Sequence, residues 1–342
     1  MVRIILTSDL HLKVDSEERL QAFQEVLRVG REHQSDWIII AGDLFDSPHD
    51  ARRLRPKLRE ILRGNTLPVM VIPGNHDHNC YEENLDFGDN FLPQTERPFT
   101  IVDGDGCRLV FIPYFEGDLT SLLPELQAAK NPGMINILII HGSLDLTGLS
   151  RLDFGEEKEY RYLPITEGLV KELSYNYILA GHYHTEAVLR KIGRTRFIYP
   201  GSPVTITKRE IGRRHLYLID TSSTPKLVPL KTRYYQPIEI YVYPGEEKKA
   251  LVELKRIIQR HDPNLAQLEI TIRGFIQVNE KDFRGVISMI VGDQKVHNEW
   301  RQVSDLISEP LYRRIRKKLD ESNLNPEQKR RVELLLMEAM IR

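Results

Sequence analysis

The stretch Trp37 to Asp46, WIIIAGDLFD, contains the pattern that decides the fold. It starts with three consecutive isoleucines after a tryptophan, which is typical of a short strand buried on both faces. Gly42 then allows a sharp turn and leaves Asp43 at the carboxyl end of that strand. Functional groups of open α/β sheets collect at this edge. Taken alone, Asp43 could equally cap a following helix.

The same arrangement, an apolar run followed by a polar side chain suited to metal binding, recurs four more times. The runs are Arg3 to Thr7, Val69 to Ile72, Asn136 to Ile140 and Tyr177 to Ala180. The residues that follow them are Asp9 and His11, then Asn75, His76 and Asp77, then His141, and finally His182 and His184. In D-x-H and H-x-H, residues two apart can point the same way from an extended segment, as ligands of one metal do. D-x-H alone would fit an ordinary turn, whereas H-x-H after a glycine favours metal.

The segment Gly74-Asn75-His76-Asp77 is the most specific of these signals. An amide oxygen suits a hard or borderline cation when carboxylate and imidazole groups complete its coordination. His76 could donate to a phosphate oxygen or a leaving group, with Asp77 fixing its tautomer. A polar turn would explain the glycine and the asparagine, but not the His-Asp pair.

Composition limits the classes of protein. The 342 residues are 41% hydrophobic with a net charge of −1, so any nucleic-acid surface must be local. Two distant cysteines exclude a disulfide framework or a cysteine zinc cluster. The first residues read as a strand and no apolar run is long enough for a membrane span, so we expect a cytoplasmic protein without membrane contact.

Strand runs alternate with helical segments from residue 1 to about 235, which predicts a layered α/β domain. One of these helices, DARRLRPKLREILR from Asp50 to Arg63, follows Asp43 closely and is rich in basic residues. Such a run is usually a solvated helix face, but its position also favours contact with a phosphate backbone. The residues in question are Arg52, Arg53, Arg55 and Lys57.

In this order, the motifs D-x-H, G-D, G-N-H-D, H and G-H-x-H resemble the calcineurin-like metallophosphoesterase superfamily from Arg3 to about Pro203. The resemblance implies a β-sandwich flanked by helices and two divalent cations bridged by Asp43. It also implies that His76 stabilises the transition state or protonates the leaving alkoxide. Ligands without sulfur fit manganese, iron or zinc, and the resemblance favours Mn²⁺. One cation would be held by Asp9, His11, Asp43 and His184, and the other by Asp43, Asn75, His141 and His182.

Within the superfamily, the chain is most similar to the SbcD family, the nuclease subunits of SbcCD-type double-strand-break repair complexes. The similarity lies in GDLFD at 42–46, LPI at 163–165 and YPGSP at 199–203. It implies a 3′-to-5′ exonuclease on duplex DNA and an endonuclease on single strands, an SbcC-type ABC ATPase with a coiled coil as partner, and a homodimer. The alternatives are a phosphodiesterase or phosphatase acting on a small molecule, and a scaffold for a coiled-coil ATPase.

Three domains are predicted. Residues 1–235 would form the phosphoesterase domain, 236–292 a small α+β domain that caps DNA, and 297–342 a pair of helices. The last helix is too apolar all round to stand alone in water, so it docks either on its own domain or on the ATPase. Its apolar residues are Leu334, Leu335, Met337, Met340 and Ile341.

Overall fold

The computed structural model describes residues 2–81, 86–145 and 163–341. It divides into two compact units, Met1–Tyr234 and Tyr235–Arg342. The first unit contains the helices α1 (Glu17–Glu32), α2 (Pro48–Arg63), α3 (Leu123–Ala128) and α4 (Glu167–Leu173), with a 3₁₀ turn at Leu119–Leu122. Its first strands are β1 (Arg3–Thr7), β2 (Trp37–Ile40), β3 (Val69–Val71), β4 (Phe91–Pro93), β5 (Thr100–Gly104), β6 (Cys107–Phe111) and β7 (Ile135–His141). The following strands are β8 (Leu144–Asp145), β9 (Ile165–Thr166), β10 (Tyr177–Gly181), β11 (Val188–Ile192), β12 (Thr195–Tyr199), β13 (His215–Asp220) and β14 (Lys226–Pro229).

Two six-stranded sheets form the centre of this unit. Their strand orders are β14-β13-β1-β2-β3-β4 and β11-β12-β10-β7-β6-β5, and β8 pairs with β9 beside them. The alternation of side chains explains why the central strands are wholly apolar. In β2, Ile39 packs between the two sheets, whereas Ile38 and Ile40 pack in the cluster shared with α1 and α2. The predicted α/β fold, a β-sandwich flanked by helices, is therefore confirmed.

The parallel strands place the motifs at the carboxyl edges of both sheets. In the first sheet, β1, β2 and β3 are parallel neighbours, with Ile40 paired to both Thr7 and Val71. In the second sheet, β7 and β10 are parallel and Gly181 pairs with His141. The segments that leave these strands therefore start at matching levels, which brings distant parts of the sequence to one site.

The second unit has the strands β15 (Tyr234–Val242), β16 (Ala266–Ile276) and β17 (Lys295–Gln302) in that order in one sheet. Its helices are α5 (Glu247–Ile258), α6 (Glu280–Val291), α7 (Ser304–Ser308), α8 (Pro310–Asp320) and α9 (Pro326–Ile341). The prediction that helix begins at residue 297 was wrong for residues 297–302. These residues belong to β17, which runs parallel to β16 as far as the pair Ile276 and Gln302. Only one apolar side chain of that polar strand, Trp300, is fully buried, so its sequence pattern is weak.

The end of the chain packs on its own unit. Met337 of α9 is 0% exposed and packs with Phe275, Val303 and Tyr312. Leu334 and Met340 are partly buried against the same cluster. The prediction that Met337 contacts a partner protein was therefore wrong, because an apolar cluster of its own unit already surrounds this side chain. Leu335 is 58% exposed, and the side chain of Ile341 lies outside the described part of the chain.

Candidate metal centre

The predicted ligands lie together where the strands of both sheets end. Three overlapping groups have ligand atoms within 4.8 Å of one another. The groups are Asp9, His11 and His184; His11, Asp43 and His76; and Asp43, His141 and His182. We call the first group, together with Asp43, the first position. The second position is Asp43, Asn75, His141 and His182.

In the first position, imidazole nitrogens and a carboxylate oxygen converge. Nε2 of His11 lies 3.3 Å from Nε2 of His184, which lies 3.5 Å from Oδ1 of Asp9. Two nitrogens bound to one ion at about 2.0–2.1 Å are separated by roughly 3.0–3.4 Å for right-angled to tetrahedral coordination. The separation of the two histidines therefore fits a shared cation.

The second position is similar in chemistry. Nε2 of His141 lies 2.9 Å from Oδ1 of Asn75 and 3.2 Å from Oδ2 of Asp43. Oδ2 of Asp43 also lies 3.7 Å from Nε2 of His11. This oxygen is buried and accepts no hydrogen bond of normal geometry from the described residues, which is costly for a carboxylate. Its place between the two positions fits a bridging ligand, and the nitrogen and oxygen donors fit manganese, iron or zinc.

The backbone around these ligands is strained. Asp9, His11, Asp43 and His182 have φ angles of 54°, 45°, 52° and 98°, in the region that favours glycine. Each such residue costs on the order of 1–3 kcal/mol and persists only where its surroundings fix it. Here the backbone N–H of His11 donates to the carbonyl of Asp43 at 2.9 Å, and that of His182 donates to Oδ1 of Asp9 at 3.0 Å. Four of the seven described non-glycine residues with positive φ therefore belong to the candidate metal centre.

Two glycines permit the close packing of these segments. A Cβ on Gly74 would lie 2.1 Å from Oδ1 of Asp43, and a Cβ on Gly181 would lie 1.9 Å from the carbonyl oxygen of Ala41. That second contact lies next to His141, whose Nδ1 is 2.8 Å from the same carbonyl oxygen. Any side chain at either glycine would therefore displace ligands or their supports.

His76 lies at the margin of the first position. Its ring centroid is 4.7 Å from that of His11, and its backbone N–H donates to Oδ1 of Asp43 at 3.0 Å. The side chain is only partly buried, unlike those of His141 and His182. Part of this side chain is therefore open to solvent beside the first position.

The hydrogen bonds described for Asp77 come from groups other than the His76 ring, so its role in fixing the His76 tautomer stays a prediction. Its carboxylate is buried and accepts hydrogen bonds from the backbone N–H of Gly74 at 2.6 Å and of Leu44 at 2.8 Å. It also accepts one from the Tyr81 hydroxyl at 2.6 Å. Both oxygens are occupied by these donors, so Asp77 is a positioning residue that joins two segments of the site.

The electrostatics of the site follow from burial and crowding. Burial opposes ionisation of Asp43, but the adjacent His141, His11 and His76 outweigh it and hold its pKa well below the usual range. Burial and the nearby Asp43 charge raise the pKa of Asp77 to about 6. Burial alone would lower the pKa of His141, yet the Asp43 carboxylate raises it to about 10. A proton therefore competes with a metal ion for the ring of His141.

Sequence reasoning missed three polar residues behind the ligands. Asp46 Oδ1 lies 3.6 Å from Nδ1 of His11, and Glu210 Oε1 lies 3.5 Å from Nδ1 of His184. Buried Arg214 donates to the carbonyl oxygen of His184 at 2.5 Å. Asp46 ends the GDLFD motif and could have been found there. Glu210 and Arg214 follow no strand, so their sequence carries no comparable signal.

The basic residues predicted to contact DNA lie on α2, which begins two residues after Asp46. Arg52, Arg53 and Lys57 are exposed. Arg55 is partly buried and donates to the carbonyl oxygen of Asp86 at 2.8 Å. Three of the four therefore present charge to solvent. Among the described helices of both units, no segment is both long and apolar enough to cross a bilayer.

Comparison with known proteins gives a consistent family. The model of the calcineurin-like phosphoesterase family matches residues 2–186. A probable cyclic nucleotide phosphodiesterase of Fibrobacter succinogenes is 26% identical over 177 residues, which cover 50% of this chain and 66% of that protein. The SbcD component of the nuclease SbcCD from Staphylococcus epidermidis is 22% identical over 276 residues, with 67% of this chain and 70% of that protein covered.

Solved structures of phosphoesterases are also similar. A dimetal phosphatase from Danio rerio has a TM-score of 0.46 and 10% identity, over 64% of this chain and 91% of that one. An archaeal phosphodiesterase has a TM-score of 0.34 and 15% identity, over 67% of this chain and 100% of that one.

Proposed function

Because this chain belongs to the calcineurin-like phosphoesterase family, whose fold uses a dimetal centre, we propose that it is a metal-dependent DNA nuclease. It degrades duplex DNA from 3′ ends and cuts single strands, as the nuclease subunit of a double-strand-break repair complex. The similarity to the SbcD component of an SbcCD nuclease supports this substrate. The observation that carries it is the exposed basic surface of α2, which begins beside the metal centre.

The chain's own residues can perform the hydrolysis. Two divalent cations, which we propose to be Mn²⁺, would supply charge neutralisation of the phosphodiester and an activated water. Asp9, His11, Asp43 and His184 would hold one of them, and Asp43, Asn75, His141 and His182 the other. His76 would donate a proton to the leaving oxygen, which its partly exposed position beside His11 allows.

We also propose a partner, an ATPase with a coiled coil of the SbcC type. The exposed apolar residues of the C-terminal helices support this proposal, because Leu311 of α8 and Leu335 of α9 are each 58% exposed. They replace buried Met337 as the expected contacts. Homodimerisation stays a prediction.

The first experiment measures cleavage of labelled duplex DNA, single-stranded DNA and bis(p-nitrophenyl) phosphate in the presence of Mn²⁺. Asp43→Ala is the control for contaminating nuclease, since it removes the bridging carboxylate. We expect both DNAs to be cut by the wild type and neither by the variant. Equal DNA degradation by both proteins would mean that the cleavage comes from a contaminating nuclease, whereas equal turnover of bis(p-nitrophenyl) phosphate by a metal-replete variant would refute the assigned centre.

A cyclic nucleotide is the second candidate substrate, and the similarity to the Fibrobacter protein favours it. Cyclic AMP is therefore included in the same assay. Turnover of cyclic AMP and of the small ester, with DNA left intact, would keep the metal centre and replace the DNA substrate. If the purified chain cuts none of these substrates even after a coiled-coil ATPase is added, its main role is that of a scaffold.

A further inference from the structure

Behind the first position, two carboxylates face the imidazoles on the side away from the converging nitrogens. Glu210 Oε1 lies 3.5 Å from Nδ1 of His184, and Asp46 Oδ1 lies 3.6 Å from Nδ1 of His11. The Nε2 atoms of both rings point at each other across 3.3 Å. Both histidines therefore have a carboxylate at one nitrogen and a shared space at the other.

Both contacts are longer than a hydrogen bond of normal geometry, but the negative charge still favours one nitrogen of each ring for binding a cation. A carboxylate beside Nδ1 favours a proton on that atom, which leaves the lone pair of Nε2 free. At the second position, Nδ1 of His141 is instead 2.8 Å from the carbonyl oxygen of Ala41, a neutral acceptor. His11 and His184 of the first position therefore each have a negatively charged group behind the ring, whereas His141 of the second position has a neutral one.

Glu210 is held firmly enough to set the ring orientation. Its Oε2 accepts hydrogen bonds from the backbone N–H of Ile206 at 2.6 Å and from the Ser202 hydroxyl at 3.0 Å. The side chain is 1% exposed, and burial of a carboxylate is costly. Arg214 is also buried and shares the Ser202 hydroxyl with Glu210, although the described contacts include no ion pair between the two. The attraction of Arg214 therefore offsets part of the cost of burying this carboxylate, whose Oε1 faces His184.

Arg214 fixes the backbone of His184, the residue whose ring faces Glu210. It donates to the carbonyl oxygens of His184 at 2.5 Å, Thr185 at 2.8 Å and Ser202 at 2.9 Å. The backbone of His184 is thus anchored by the guanidinium while its ring faces Glu210. Asp46 is more exposed and is itself bound by Lys13 at 3.1 Å and Arg19 at 3.3 Å, so its position is also fixed.

We propose that Glu210 and Asp46 are positioning residues that fix the imidazoles of His184 and His11 and thereby set the affinity of the first position for its divalent cation. This inference rests on the metal centre of the proposed function and is independent of whether DNA is the substrate.

The test is titration of the metal-free full chain with Mn²⁺, followed by electron paramagnetic resonance and calorimetry. Glu210→Gln keeps the volume and an oxygen acceptor for Ile206 and Ser202, but turns an amide N–H₂ towards His184 and favours the wrong tautomer. We expect one of the two bound ions to weaken by about 10- to 100-fold while the other is unchanged. Asp46→Asn should weaken the same ion, and it serves as the second variant should Glu210→Gln fail to fold.

Glu25→Gln is the matched control, because Glu25 is a buried carboxylate of α1 that binds Arg28 and the backbone of Lys231. It should leave both affinities unchanged. Wild-type affinity for both ions in both test variants would overturn the proposal. Equal weakening of both ions would also overturn it, since that result means a general structural defect. Ion-specific weakening without DNA cleavage would support the positioning role and refute only the nuclease assignment.

Discussion

At the scale of the residue, His76 is the side chain for which an effect on turnover can best be distinguished from an effect on metal binding. It is partly exposed, and its ring lies against His11 without belonging to either of the two positions as defined. His76→Gln should therefore retain Mn²⁺ binding but lower kcat by about 10²- to 10⁴-fold, the usual contribution of a positioned proton donor. Fixed-time assays of ester cleavage at saturating Mn²⁺ measure kcat, and a titration measures Mn²⁺ binding. An unchanged kcat would show that His76 takes no part in the reaction.

Gly74 tests the packing around Asp43. Alanine there would place its Cβ 2.1 Å from a carboxylate oxygen of Asp43, so the carboxylate must move. We expect Gly74→Ala to weaken Mn²⁺ binding by at least about tenfold, since even outer-shell changes have that effect. Gly64→Ala, at the end of α2, is the matched control because its Cβ would meet nothing within 4 Å. The prediction is wrong if both variants titrate like the wild type.

Individual residues differ in how well the sequence could predict them. Asp9 and Asp43 follow apolar strands and His141 ends one, and parallel strands bring such positions to one edge of a sheet. Glu210 reaches the site from an irregular segment, and only the three-dimensional course of the chain places it behind His184. The hydrogen bonds of Asp77 with Gly74 and Tyr81 were not predicted, because sequence adjacency to His76 does not determine where a side chain points.

At the scale of the element, α2 joins the metal centre to a basic surface. Arg53 and Lys57 are four residues apart, so they share one exposed face of the helix. The double variant Arg53→Ala and Lys57→Ala should raise KM for DNA. It should also make the slope of log K for DNA binding against log salt concentration less steep, by the equivalent of up to about two phosphate contacts. Hydrolysis of bis(p-nitrophenyl) phosphate should not change.

The control for α2 is the pair Arg190→Ala and Lys191→Ala, which removes two exposed charges from the edge strand β11. Fluorescence anisotropy at several salt concentrations compares the two double variants. Equal loss of DNA affinity in both would mean that overall charge, and not the α2 surface, binds DNA.

Helices and strands could be predicted where their apolar residues recur at a regular spacing or where a capping residue marks the end. Helix α9 begins at Pro326, a residue type favoured at the first helical position, and Asn325 and Gln328 exchange hydrogen bonds at 2.9 and 3.0 Å. Strand β17 was missed because most of its side chains are exposed and charged or polar. Its position depends on pairing with β16, which no local pattern reveals.

At the scale of the whole molecule, the described ligands of the metal centre all lie in the unit Met1–Tyr234. The fragment ending at residue 234 should therefore fold, bind Mn²⁺ and hydrolyse the small ester at a rate within about threefold of the full chain. Cutting at residue 297 instead would remove β17 from its sheet and expose the partner strand. Circular dichroism, metal titration and ester assays compare the fragment with the full chain, and a fragment without metal binding would contradict the prediction.

The pairing of β1 with β13 has a consequence for synthesis of the chain. Arg3 pairs with Asp220, so β1 lacks one of its two neighbours until residue 220 has been made. At about 5–20 residues per second, this delay is on the order of 10–40 s. During that time one edge of an apolar strand is open to pairing with other nascent chains. We therefore expect co-expression with a chaperone that covers exposed strands to raise the yield of the folded protein.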